Sequence, residues 1–306
     1  MSGLLASMLG AVSQGLIWSL MVLGVYITYK LLDIADMTTD GSFVLGGCVC
    51  ATLMLKGCDP TIALVCGAVA GGLAGAVTGV LHTFFGIPAI LAGILTQISL
   101  WSINLRIMSD KSNQSINKID SDITFWVDRL GVTQSQASLI VGVFVVILAV
   151  AVLYWFFGTE LGCSLRATGA NQAMARAQGI NTSFNKVLAL MISNGLVSLS
   201  GALLAQYNGS NEINVGRGAI VIGLAAVIIG EVLLGKVFRN FGLKLLSVSI
   251  GAIIYYIVMQ AVLALGLNPN YLKLLSAAVV AIFLATPYWK SKYFSKPVKK
   301  GGATHA

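Results

Sequence analysis

"LRATGANQAMARAQGINTSFNK", residues 165–186, is the longest polar stretch in the second half of a chain otherwise made of apolar runs, and its three charges, Arg166, Arg176 and Lys186, are all positive. A segment of this kind between two greasy runs reads as a loop leaving a bilayer on the side where basic residues collect. Within it, Asn171 to Gln178 reads as a short helix. Ala170, Ala173, Met174 and Ala177 mark one apolar face, Gln172 and Arg176 lie off it, Gly169 supplies a turn before it and Gly179 ends it. Such a helix at a membrane surface binds either anionic lipid or the groove of a soluble partner. Two arginines are few for lipid alone, which favours the partner.

The rest of the chain sets the context for that loop. Of 306 residues, 57% are apolar and only 10% charged, and mean hydropathy is +0.88. Soluble domains carry roughly a quarter charged residues, so this is an integral membrane protein. The 34 glycines suit closely packed helices in a bilayer. A formal charge of +8 does not indicate nucleic acid, because the basic residues sit at the ends of apolar spans without an interleaved aromatic surface. Cys48, Cys50, Cys58, Cys66 and Cys163 form no CxxC pair and read as small hydrophobes, and two histidines cannot make a His-rich metal site. No metal and no cofactor of its own is expected. Lys30 is the first cationic residue, so the first apolar run reads as a retained span rather than a signal peptide.

A helix needs roughly 20 apolar residues to cross a bilayer. Runs of that length between polar breaks predict about nine transmembrane helices, at 9–30, 41–56, 61–81, 87–108, 137–158, 186–207, 218–235, 244–266 and 271–288. The fold class is therefore an all-α polytopic membrane protein, with a transmembrane domain over 1–290 and a basic tail over 291–306. If 165–186 is cytoplasmic, twelve of the 19 Lys and Arg fall inside. The positive-inside rule then puts the N-terminus outside and the C-terminus in the cytoplasm.

Two spans begin abruptly after polar runs, "DIADMTTDGSFVLGG" at 33–47 and "NEINVGRGAIVIGL" at 211–224. Aligning "GSFVLG" with "GAIVIG" sets Asp40 opposite Arg217, and in this topology the two spans run in opposite directions. That is the pattern of an inverted repeat whose broken helices line a pathway near the midplane, although two ordinary glycine-led helix starts give the same match. Asp33, Asp36 and Asp40 would share a face if the helix continued through them. Asp33 reads as a solvated end charge; Asp36 and Asp40 are either pathway groups or end charges and caps. In the fourth span Gln97, Trp101 and Asn104 fall at i, i+4 and i+7, a polar stripe that either bonds a neighbouring helix or lines a route. Phe43 and Trp101 are candidates to stack on an aromatic solute, or to face lipid. Gly67, Gly71, Gly75 and Gly79 form a smooth ridge along the third span for close helix approach.

"GEVLLGKV" at 230–237 imitates a phosphate-binding loop until Val237, where the magnesium-holding hydroxyl belongs, and it lies in an apolar helix. It reads as a helix end. With no grouping of nucleophile, base and orienting acid either, no enzyme activity is expected of this chain. An ion-coupled secondary carrier is the rival transporter reading, with Asp36, Asp40 and Glu231 as coupling groups.

"TELGCSLRATGANQAMARAQGINTSFNKVLALMISNGLVSLSGALLAQYNG", 159–209, resembles the cytoplasmic coupling loop and following helix of ABC importer permeases of the branched-chain amino acid and ribose type. "GIPAILAGILTQ" at 86–97 and "DMTTDGSFVLGG" at 36–47 resemble further parts of that family, and the similarity extends from about 15 to 285. "IIGEVLLG" at 228–235 departs from the commoner double glycine at Glu231 and is similar to the subgroup associated with aromatic amino acid uptake. The resemblance implies the ABC importer permease fold, and a coupling loop over 159–186 in which Arg166, Gly169, Asn171, Ala175 and Gly179 meet a separate ATPase subunit, with Arg176 beside them. It also implies a second permease chain in a homodimer, ATP and magnesium on the ATPase partner, and an extracytoplasmic solute-binding protein. The 109–136 loop, with Phe125 and Trp126, is a docking surface for that protein or an interfacial anchor. The implied cargo is a small solute, an amino acid and in the narrower reading an aromatic one; a sugar or nucleoside is the alternative.

Overall fold

The computed structural model describes residues 2–116, 134–235 and 240–264, together with 274, 276–278, 280–282 and 285. The span expected at 271–288 lies largely outside the described residues, and the 291–306 tail and the Phe125–Trp126 piece lie wholly outside them. The elements are α1 (Ser2–Tyr26), α2 (Thr38–Leu55), α3 (Pro60–Thr83), α4 (Ala89–Ile107), β1 (Asn113–Ser115), α5 (Gln134–Gly158), α6 (Glu160–Ala170), α7 (Gln172–Ala177), α8 (Thr182–Asn208), β2 (Ser210–Glu212), α9 (Ala219–Leu234) and α10 (Phe241–Ala264). Among the described residues seven helices are long and apolar enough to cross a membrane, and α9 is a shorter apolar helix. The first span runs beyond α1 through a π-helical turn, Ile27–Leu31. The chain is a polytopic helical membrane protein.

Local signals explain the helix limits. Asp59 accepts from the Thr61 N–H at 2.9 Å ahead of Pro60, which starts α3. Asn181 caps α8 through the Phe184 N–H, and Gly209, with φ of 63°, ends it in the left-handed conformation.

α8 is the central helix, packed most extensively on α3 and then on α2 and α1. Lipid tails are as apolar as leucine, so helices associate in a bilayer through close backbone approach and interhelical hydrogen bonds. Both are present. The ridge of Gly67, Gly71, Gly75 and Gly79 lies along α8: a methyl group at the last three would strike Ser198, Leu190 and Val187 respectively, and one at Gly67 would sit tightly against Ala202 and the Gly46 carbonyl of α2. Ser193, Ser198 and Ser200 donate to the carbonyls of Gly24, Gly67 and Ile17 at 2.7–2.8 Å. A threonine chain, Thr38 to Thr78 at 2.8 Å and Thr78 to Thr96 at 2.9 Å, joins α2, α3 and α4. Each such bond contributes about 0.6 kcal/mol on average.

Three expectations change. The segment between Leu31 and Thr38 is not helical and Asp33 has φ of 57°, so Asp33, Asp36 and Asp40 do not share a face. The polar loop holds two helices, α6 as well as α7, because the Thr159 hydroxyl accepts from the Gly162 N–H and nucleates a helix ahead of the expected one. An antiparallel strand pair, Asn113–Ser115 with Ser210–Glu212, adds a small β element that the all-α reading lacks.

Candidate functional site

The two polar breaks meet. Asp36 is 2% exposed: one carboxylate oxygen accepts from the Thr38 N–H at 2.9 Å and the other from Asn194 Nδ2 at 2.7 Å. Asn194 Oδ1 in turn accepts from Ser42 Oγ at 2.7 Å. Asp36 lies in the linker between the first two spans, where burial pushes its carboxyl above the ordinary range while the Thr38 and Asn194 hydrogen bonds pull it down. One helical turn on, Asp40 reaches across to the start of α9. Its two oxygens accept from the N–H groups of Gly218 and Ile220, each at 2.9 Å. The carboxylate thus caps α9 and meets the partial positive charge of that helix end. Gly218, with φ of 84°, makes the left-handed turn that aims those amides at Asp40.

Beside this cap lies a cavity of about 380 Å³ lined by Asp40, Gly41, Val44, Gln97, Ile98, Trp101, Ser102, Asn104, Ile213 and Arg217. It brings together five of the seven residues expected along a pathway: Asp40, Gln97, Trp101, Asn104 and Arg217. Asp36 and Phe43 do not line it. Phe43 is fully buried with its ring 4.7 Å from that of Trp18, so its place is in the core. Asn104 donates from Nδ2 to the Gly41 carbonyl at 3.3 Å, which joins α4 to α2, while its Oδ1 has no partner. A second cavity, about 230 Å³ between α1, α9 and α10, contains Gln14, Tyr255, Tyr256, Gln260 and Ser276, with no charged group among the described residues that line it.

The 159–186 segment is held firmly at several points. Asn185 Nδ2 bonds Ser164 Oγ at 3.2 Å and Thr168 Oγ1 at 2.9 Å, joining α6 to α8. Arg176 Nε donates to Thr182 Oγ1 at 2.9 Å, joining α7 to the start of α8. The Arg166 guanidinium lies 5.1 Å over the Phe241 ring, at the start of α10. Gly169 is helical and makes no turn; a methyl group there would strike the Leu31 carbonyl, so it permits α6 to lie against the end of the first span. Asn171 precedes α7 as its cap, accepting from the Met174 N–H at 3.0 Å. Ala175 is buried, and Gly179, with φ of 79°, follows the helix in the left-handed conformation. The expected apolar face is turned outward: Ala170, Ala173 and Ala177 are exposed and Met174 is 63% exposed. Nearby, Lys30 pairs with Glu231 at 3.0 Å.

Sequence reasoning missed Asn194 and Ser198, whose signal is the polar run "SNGLVSLS" at 193–200 inside an apolar span. It also missed the Lys30–Glu231 pair, whose partners are 201 residues apart.

Comparison with known proteins agrees with this architecture. Residues 7–284 match the family described as branched-chain amino acid transport system, permease component. The chain is 38% identical to the tyrosine transport system permease protein of Clostridioides difficile, over 94% of its own length and 92% of that protein's. It is 28% identical to the D-allose transport system permease protein of Escherichia coli, over 72% of this chain and 64% of that one. Against the ribose import permease protein of Escherichia coli, identity is 24% over 81% and 75% of the two chains. No solved structure matches.

Proposed function

The chain belongs to the branched-chain amino acid transport system permease family and is the permease component of an ABC transport system; from that premise we propose that it imports an amino acid, an aromatic one in the narrower reading. The relative named for tyrosine, at 38% identity, supports this cargo over the more distant relatives named for sugars. In the proposed assembly two copies of the chain form a homodimer around the route. An extracytoplasmic binding protein delivers the solute, and two ATPase subunits, which hold ATP and magnesium, drive the cycle. The N-terminus is outside and the C-terminus in the cytoplasm, as the basic residues favour. α2 and α9 are broken-helix counterparts in an inverted repeat, each starting at a polar break, with Asp40 of one capping the other.

The ATPase docks on α6 and α7. The observation that carries this is the combination of an outward apolar face at Ala173, Met174 and Ala177 with rigid attachments beneath it. A partner seated on that face pushes directly on α8 through Asn185 and Thr182, on the first span through Gly169, and on α10 through Arg166. In this reading Asn171 and Gly179 fix the two ends of α7, Ala175 seats it and Arg176 anchors it. Gly179→Val strains a left-handed position at a cost of about 1–2 kcal/mol, and Arg176→Glu removes the anchor. Both variants are expected to insert normally yet lose most solute-stimulated ATP turnover in the reconstituted complex. Unchanged stimulation in both refutes this docking site.

The ion-coupled alternative needs carboxyls free to exchange protons or ions. Asp36, Asp40 and Glu231 are each held in specific bonds, which supports the ATP-driven reading.

A further inference from the structure

The cavity between α2, α4 and the start of α9 contains one acid and one base that do not pair with each other. Among the described residues the ion pairs are Lys30–Glu231 and Arg106–Asp110, and neither involves Asp40 or Arg217. Asp40 already offsets the partial charge at the start of α9, which leaves the exposed Arg217 guanidinium beside the cavity without an anion among the described residues. Asn104 is 1% exposed, and its Oδ1 is a buried acceptor with no donor. The rest of the wall mixes the polar Gln97 and Ser102 with the apolar Val44, Ile98, Trp101 and Ile213.

From this arrangement we infer that the cavity is a binding site for an α-amino acid zwitterion with an aromatic or large apolar side chain. Arg217 takes the carboxylate, the Asp40 carboxylate, whose oxygens each accept one backbone N–H and keep a second lone pair, takes the ammonium, and Trp101 and Ile98 cover the side chain. The volume of about 380 Å³ lies within the roughly 300–1,000 Å³ range of small-molecule sites. A sugar presents several neutral hydroxyls and no charge, and would leave the Arg217 charge unmatched. Among the described residues lining the smaller cavity by α10, none is charged. The inference rests on the amino acid import reading above and gives that cargo a place in this chain.

The test is binding of radiolabelled tyrosine to the full chain in nanodiscs, with tyramine, which lacks the carboxylate, 3-(4-hydroxyphenyl)propionate, which lacks the ammonium, and ribose as competitors. Tyrosine is expected to outcompete each half-molecule by about tenfold or more, since a site built for two polar groups rejects a ligand lacking one. In Arg217→Gln its advantage over tyramine collapses while its advantage over the propionate remains. In Asp40→Asn the pattern reverses. These ratios are internal to each preparation, so a misfolded fraction does not alter them. Absence of tyrosine binding, or ratios unchanged in both variants, overturns the inference. Uptake by the complete transport system separates the two readings: tyrosine uptake with unchanged ratios sinks only this site, whereas uptake of ribose in place of tyrosine sinks the amino acid reading itself.

Discussion

α4 and α5 are covered to a similar extent by the rest of the chain, with 28% and 33% of their spanning windows buried, yet their uncovered faces differ in kind. α5 exposes Ile140, Val143, Phe144, Ile147, Leu148 and Val152 and is apolar throughout that stretch. α4 begins the same way, with Ile90, Leu91, Leu95 and Ile98 exposed, but its second half exposes Ser99, Trp101, Ser102 and Arg106 beside half-buried Gln97. Polar groups facing hydrocarbon are costly. We propose that exposure in the single chain has two meanings: α5 faces lipid, and the second half of α4 faces water or protein.

The largest expected effect breaks that contrast at the lipid face. Phe144→Lys places a charge near the middle of α5, at a cost of about 2.5–3.5 kcal/mol for insertion. The amount of chain in the membrane fraction is expected to drop severalfold, whereas Ser102→Lys leaves it near normal. Equal yields of the two variants would remove the distinction. Next in size is a contrast within α3, whose two faces are as different as α4 and α5. Gly75→Leu drives a side chain into the Leu190 carbonyl and is expected to destabilise by about 1–3 kcal/mol, seen as a lower melting temperature and loss of a monodisperse peak. Leu73→Ala on the exposed face of the same helix changes neither. A smaller effect concerns the α4 side alone. Asp40→Ala removes the α9 cap, a loss of about 1 kcal/mol, and lowers the melting temperature by a few degrees, with Asp40→Asn retaining part of the stability. A melting temperature unchanged in Asp40→Ala would show that the cap does not hold α9.

Much of this contrast is legible in the sequence. The spacing of Gln97, Trp101 and Asn104 marks a polar face on α4, and the glycines at four-residue intervals mark the ridge that α8 covers, because helical periodicity turns spacing directly into a face. What escapes is what depends on partners distant in sequence. Spacing puts Asp33, Asp36 and Asp40 on one face only if the helix continues, and the left-handed Asp33 shows that it does not. The same spacing cannot reveal that Asn194 receives Asp36 from 158 residues away. It cannot place Phe43 against Trp18 either, since an aromatic near a polar break fits a pathway and a core equally well. In the 165–186 stretch the sequence marks the apolar face of α7, but Gly169 serves close packing rather than a turn, a distinction that lies in the Leu31 carbonyl facing it.

The central claim, that the second half of α4 lines a watered solute route while α5 faces lipid, is tested most directly by cysteine accessibility. Ser102→Cys and Leu148→Cys are made in a chain whose exposed Cys58, Cys66 and Cys163 are replaced by serine, and each is treated with a membrane-impermeant maleimide. Thiols react as thiolates, which form in water and not in hydrocarbon, so the α4 position is expected to label about ten times faster or more, and to slow when tyrosine is present. Equal rates at the two positions, with no effect of tyrosine, would contradict the account.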